Sequence, residues 1–347
     1  MYRIFYPKGT TQAKEIFESI RGLESIPYET KELPFLKKEK MDLLVANTRL
    51  KIGESTFQEF PNVPVFATVS SGTDHVNFED VQKFGKQFWN SPGSNATSVA
   101  EYVISCFLFF CPNPEERIQK SICIFGFGNI GKILYNGFQK QNFSVTVIDP
   151  FYPEFSKNTQ EISEFDFLTI HVSLTKTGQY PTHGFLTEDF FQQLKKDAIF
   201  INSSRGEVIA KSGYETLRKR EDLKVALDVF PNEPPKKDFY QNWLSRKNTI
   251  FTPHVAGYSQ LGRVKGTYAL AEKIQSEWGL EGLMDIVSYL DTSSEFSFPS
   301  FLSEESELLK SKWELGDDDY FESRRNQYPI RLDSSEDPFW ACRNYGT

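Results

Sequence analysis

At 347 residues, with 39% hydrophobic and 25% charged positions, the chain has the composition of a folded globular protein and the length for two compact domains. Its formal charge of -8 argues against a nucleic-acid partner, since neutralising phosphates takes clustered Lys and Arg, and an anionic substrate must be held by a few local cations. The longest apolar run, VISCFLFFC at 103–111, is far short of the roughly 20 residues that cross a bilayer, and Cys106, Cys111, Cys123 and Cys342 lack the spacing of a disulfide framework or a metal site.

The opening MYRIFYPKGTTQ reads as a strand and a turn rather than a signal peptide, and with the isolated cysteines it predicts a cytoplasmic protein. The β-rich runs YRIFY (2–6), DLLVA (42–46) and VFATV (65–69) alternate with helical or turn-like stretches, which predicts a small parallel α/β domain. Between 96 and 111, Val99, Val103, Phe107 and Cys111 recur at helical spacing with Ala100, Ile104 and Leu108 beside them, leaving Glu101 and Ser105 off the stripe. A long helix linking two domains is expected there. From Ser121 the runs SICIF, SVTVID, DFLTIHV, AIFIN, LKVALDV and TIFTPHV are nearly continuous in apolar residues, as parallel strands covered on both faces are, so a doubly wound sheet is expected. A helix follows Gly257 to about Trp278. Beyond Asp291 the chain turns to Ser, Glu, Asp and aromatics without a clear period.

The loop GFGNIG (126–131) follows the strand SICIF and opens the helix IGKILYNGFQK. In that setting Gly126 permits the tight turn, Gly128 lets the backbone approach a pyrophosphate, and Gly131 lets helix and strand pack closely, with the amides around Asn129 and Ile130 facing the phosphates. Asp149 ends the next strand, placed to accept bonds from ribose hydroxyls and to repel a 2′-phosphate, and no Arg follows it in PFYPEF. NAD is therefore expected in preference to NADP.

Three further residues each follow a predicted parallel strand: Arg205 after AIFINSS, Glu233 after VALDVFPN and His254 after TIFTP. An Arg fork binds a carboxylate, a His exchanges a proton near neutral pH, and a Glu beside it favours its charged form. Singly, Arg205 also reads as a surface ion-pair partner, Glu233 as a loop charge before Pro234, and His254 as a loop histidine. Their shared setting points to hydride transfer from a hydroxy acid.

INSSRGEVI (201–209), LDVFPNEPP (227–235) and FTPHVAG (251–257), in this order after GFGNIG, resemble the motifs of the D-isomer-specific 2-hydroxyacid dehydrogenases. The resemblance implies an α/β fold in which a doubly wound Rossmann NAD domain (93–256) is inserted into a smaller flavodoxin-like substrate domain (1–92 with 257–283). It leaves 284–347 as a C-terminal segment with a role in dimerisation, hence a homodimer. It further implies Arg205, Glu233 and His254 as the catalytic set, Asp149, Asp228 and Gly257 near NAD, and Thr48, Thr68 and Tyr258 near the substrate. The amides of Ser70, Ser71 and Gly72 would form an anion nest opposite Arg205. SSGTDHVN (70–77), NSPGSNATSVAEY (90–102), TKTGQYPTH (175–183), HVAGYSQLGRVKGT (254–267) and FESRRNQYPIR (321–331) resemble a branch whose substrate is a phosphorylated hydroxy acid. For that phosphate the candidate cations are Arg49, Lys51, Arg263, Lys265, Arg325 and Arg331, and a partner subunit supplying the last two would complete the site. Two positions depart from the pattern: Ala210 stands where an Asp is usual and Ser173 where a Pro is usual. The same chemistry on 3-phosphoglycerate, hydroxypyruvate or glyoxylate, and an NAD-sensing corepressor-like binding protein, are the alternative readings.

Overall fold

The computed structural model describes residues 1–155, 161–290 and 300–328. Its contacts divide the chain into two units, one of the described residues in 1–95 and 259–294, the other of those in 96–258 and 295–347.

In the first unit β1 (Tyr2–Pro7), β2 (Leu23–Tyr28), β3 (Leu43–Val45), β4 (Val65–Ala67) and β5 (Gln87–Trp89) form a parallel sheet in the order β2-β1-β3-β4-β5. This is the flavodoxin-like order. Successive side chains alternate between faces. Ile4, Tyr6, Leu43 and Val45 pack with Ile16, Phe17 and the helix Gln260–Trp278, while Phe5, Leu44 and Phe66 pack with Phe57 and Phe60. Each large side chain so buried contributes about 1.5–3 kcal/mol relative to exposure. The 260–278 helix is started by Ser259, whose Oγ accepts from Gly262 N at 3.0 Å, and ended by Gly279 in the left-handed region. Thr267 Oγ1 donates to Thr11 O at 2.7 Å and Ser91 Oγ to Gly266 O at 2.7 Å, which ties this returning helix to the first 95 residues.

The second unit holds β6 (Ser121–Phe125), β7 (Ser144–Ile148), β8 (Phe167–Ile170), β9 (Ile199–Asn202), β10 (Lys224–Leu227) and β11 (Thr249–Phe251), all parallel, in the order β11-β10-β9-β8-β6-β7. β7 lies on one side of β6 and β8 on the other, so the strand order reverses beside β6. In open α/β sheets ligands bind beyond the carboxyl ends of strands at such a point. One face packs Leu168, Phe200, Leu227 and Phe251 against Trp243 and Trp313, and the other packs Ile122, Ile124, Phe167 and Ile201 against Val103, Phe107 and Phe138.

The helix Ala96–Phe110 begins at the boundary between the two units and groups with the second. Glu101 and Ser105 are buried along with the stripe, and Ser105 Oγ satisfies itself by donating to Glu101 O at 2.7 Å. The described residues of the tail divide between the two units. Ile286–Tyr289 joins the first unit, where Tyr289 OH meets Ser19 Oγ at 3.1 Å. The helices Ser300–Glu314 and Tyr320–Asn326 join the second, and there Ser306 Oγ accepts from Phe251 N at 3.0 Å, covering a donor on edge strand β11. Among the described residues no helix is long and apolar enough to cross a membrane.

Candidate active site

The glycine loop leaves β6 at the strand-order reversal. Gly126 has φ +94°, and Gly131 lies so close to it that a Cβ there would stand 2.0 Å from Gly126 O. The helix Asn129–Lys140 can start where it does only because that carbon is missing. Gly128, its N-cap, is exposed, has no side-chain cap and has nothing within 4 Å of where a Cβ would be. Open space beside an uncapped helix start fits a pyrophosphate. Asn129 is exposed at this start, and Ile130 packs against the core beneath it. Asp149 accepts from Phe127 N at 2.7 Å and from Phe151 N at 3.0 Å, so its carboxylate ties the loop to the end of β7. The residues present fit a dinucleotide.

His171, just past β8, is a neighbour of this loop that the sequence did not single out. A Cβ on Gly126 would stand 2.6 Å from the His171 carbonyl oxygen. The His171 ring meets Thr169 Oγ1 through Nε2 at 2.8 Å, while its buried Nδ1 has no hydrogen-bond partner. Burial lowers its pKa to about 3. With the folded value depressed and the unfolded one near 6.5, the neutral ring's contribution to stability is complete above about pH 6.5 and drains away as pH falls toward 3. Thermal unfolding between pH 7 and 4 should therefore show a loss of stability that is smaller in His171→Gln.

Arg205, Glu233 and His254 lie on the loops that leave β9, β10 and β11, three adjacent strands. The first two loops are pressed together at Gly206, where a Cβ would stand 2.0 Å from the carbonyl carbon of Phe230. Arg205 is half-buried, and its Nη1 donates to Ser204 O at 2.7 Å while Asn202 Nδ2 donates to Arg205 O at 2.9 Å. Glu233 Oε1 accepts from Phe230 N at 3.0 Å, and Oε2 lies 2.6 Å from His254 Nδ1. Burial pushes the Glu233 carboxyl up, but the adjoining His254 and the amide of Phe230 outweigh it and hold the group below the usual carboxylate range. With Nδ1 engaged, Nε2 is the ring nitrogen left to exchange a proton.

Asp228 lies beneath this pair. It is 1% exposed; Oδ1 accepts from Thr252 Oγ1 at 2.6 Å and Val255 N at 2.8 Å, and Oδ2 accepts from Ala256 N at 2.9 Å. Burial pushes its pKa up. His254 itself has φ +55°, and its amide donates to Asp228 O at 2.8 Å. Asp228 thus shapes the turn that presents His254. Gly257 is half-buried at the end of that turn.

Arg325, from the tail helix Tyr320–Asn326, reaches this site in its own chain. Its Nε donates to Tyr258 OH at 3.2 Å, and its Nη1 lies 3.7 Å from Glu233 Oε2. The preceding Arg324 is paired with buried Glu305, which fastens the helix. Arg331 lies outside the described residues.

In the first unit Thr48 is exposed on the turn after β3, with Arg49 and Lys51 exposed beside it in the chain. Thr68 is buried, and its Oγ1 accepts from Ser70 N at 3.4 Å, so it shapes the 70–72 turn from beneath. Ser71 Oγ lies 3.0 Å from Ser91 O and 3.1 Å from Asn95 Oδ1, while Asn90 Nδ2 donates to Ser71 O at 3.0 Å. Ser70, Ser71 and Gly72 are all half-buried, as are Arg263 and Lys265 on the 260–278 helix.

Residues 112–256 match the family model described as the NAD binding domain of D-isomer specific 2-hydroxyacid dehydrogenases. Among curated relatives, erythronate-4-phosphate dehydrogenase of Wigglesworthia glossinidia brevipalpis is 33% identical over 66% of this chain and 61% of its own length. The Legionella pneumophila protein of that name is 30% identical over 73% of this chain and 71% of its own, and the Shewanella sediminis one 27% identical over 91% and 83%. Among solved structures, the NAD+-bound 3-phosphoglycerate dehydrogenase of Entamoeba histolytica superposes with a TM-score of 0.68 at 21% identity, covering 80% of this chain and 96% of that one.

Proposed function

Since this chain belongs to the D-isomer-specific 2-hydroxyacid dehydrogenase family, we propose that it oxidises a phosphorylated D-2-hydroxy acid to the 2-oxo acid with NAD. The observation that carries this reading is the 2.6 Å contact between Glu233 and His254, on loops next to the one that bears Arg205. Arg205 binds the C1 carboxylate, with the amides of Ser70, Ser71 and Gly72 as its complement. His254 Nε2 removes the proton of the C2 hydroxyl, and Glu233 orients the ring through Nδ1 and stabilises the imidazolium that forms. Bound NAD, on the glycine loop, supplies the acceptor for the C2 hydride. Thr48 and Tyr258 contact the substrate, and Thr68 holds the 70–72 turn in shape.

For the substrate we infer 4-phospho-D-erythronate, converted to 2-oxo-3-hydroxy-4-phosphobutanoate in pyridoxal 5′-phosphate biosynthesis, by a homodimer in the cytoplasm. The relatives named erythronate-4-phosphate dehydrogenase support this choice. Arg49, Lys51, Arg263 and Lys265 are the candidates for the phosphate in the first unit, and Arg325 in the second. Initial rates of nicotinamide reduction at 340 nm, with a 2-oxo acid added to reoxidise tightly held NADH, should be highest on 4-phospho-D-erythronate. Preference for 3-phosphoglycerate or a glyoxylate-type substrate would replace the substrate and keep the reaction. No turnover on any of them, with NADH binding retained, would favour an NAD-sensing binding protein.

A further inference from the structure

At the opposite end of the second unit's sheet, the amino ends of β10 and β11 border a cleft of about 620 Å³, closed on one side by the helix Ser300–Glu314. Lys224, Arg246, Lys247 and Lys310 line it, against the carboxylates of Glu307 and Glu314. The carboxylates Glu307 and Glu314 are exposed, whereas Arg246 is buried and Lys224 and Lys310 are half-buried, so the solvated carboxylates offset the cations only in part. The Lys310 side chain is 13% exposed, while that of Glu307, 3.8 Å away, is 78% exposed and correspondingly screened.

Lys310, Lys224 and Arg246 are held by neutral oxygens. Lys310 Nζ donates to Thr249 O at 2.8 Å and Lys224 Nζ to Phe110 O at 2.7 Å. Arg246 donates to Leu223 O and Arg220 O, both at 2.8 Å, and to Thr249 Oγ1 at 2.6 Å, and its buried Nε has no hydrogen-bond partner. Glu221 and Asp222 act on Arg246 from nearby, but Asp222 is already paired with Arg220 at 2.7 Å. Burial lowers the pKa of Arg246 to about 10, and burial together with the Arg246 charge lowers that of Lys310. Cations gathered in a concave site without buried counter-charge attract an oxyanion, whose charge-assisted bonds would use the donors that carbonyls leave over.

We propose that this cleft binds a small polyanion, a metabolite carrying at least two carboxylate or phosphate groups, at a site separate from the catalytic one. Titration calorimetry on the full chain saturated with NADH, with citrate and inorganic pyrophosphate as probes, tests it. At least one probe should bind, and the double variant Lys247→Gln/Lys310→Gln should weaken it by about 10-fold or more. Binding of citrate alone assigns a carboxylate ligand, and of pyrophosphate alone a phosphorylated one. Should the double variant fail to fold, the exposed Lys247→Glu reversal carries the same expectation. No binding of either probe, or wild-type affinity in the folded variant, overturns the proposal.

Discussion

His254→Ala is expected to lower turnover by about 10²- to 10⁴-fold, the usual contribution of a positioned general base, and to leave NADH affinity unchanged. The glycine loop and Asp149, which carry the cofactor reading, lie beyond β6 and β7, whereas His254 lies beyond β11 at the far edge of the sheet. Its ring makes a 2.6 Å contact with Glu233, while the backbone of its turn is held separately by the Asp228 carboxylate through the amides of Val255 and Ala256. Removing the ring therefore spares the turn. The check is a stopped-flow or steady-state kcat beside an NADH fluorescence titration of the same variant. Wild-type turnover with binding intact would remove His254 from the role of base.

Arg205→Met should lower kcat/KM by about 10²- to 10⁴-fold, because two charge-assisted hydrogen bonds to a carboxylate are worth roughly 1.5–3 kcal/mol each. The side chain is half-buried and Met keeps most of its apolar length, so the fold should survive; Gly206, not Arg205, is the residue that the approach to Phe230 requires. Arg205→Lys should recover only part of the loss, since a point charge cannot reproduce the two-pronged geometry. Substrate kinetics of the two variants decide this, and an unchanged KM and kcat in Arg205→Met would show that the carboxylate is held elsewhere.

The sequence revealed the second unit more fully than the first because its strands are buried on both faces and read as uninterrupted apolar runs. β8 and β9 are buried at every residue. In the first unit β2 and β5 escaped notice. Both are edge strands with half-exposed residues, and β2 carries Pro27, so neither shows the continuous pattern of a central strand. The helix 96–110 was legible as a helix but not as one buried nearly all round, because Glu101 and Ser105 look like a solvent face until the surrounding protein is seen. At the site, spacing alone placed Glu233 and His254 after neighbouring strands, and the structure added their contact. It also added two contacts: Asp228 spends both oxygens on the turn bearing His254, and Arg325 approaches Glu233 within the same chain. Neither could be read from spacing, since a buried carboxylate's partners and a tail helix's docking depend on residues far away in the chain. Gly206 carried a signal in the Arg-Gly pair, but its reason, the backbone of Phe230, is 24 residues on.

The most direct test of the chemistry assigned to Arg205, Glu233 and His254 is to follow the hydrogen at C2. With 4-phospho-D-erythronate deuterated at C2, mass spectrometry should find one deuterium in the NADH formed and a 2-oxo acid as the other product. NADH formed without that deuterium, or deuterium retained in the product, would contradict hydride transfer from C2.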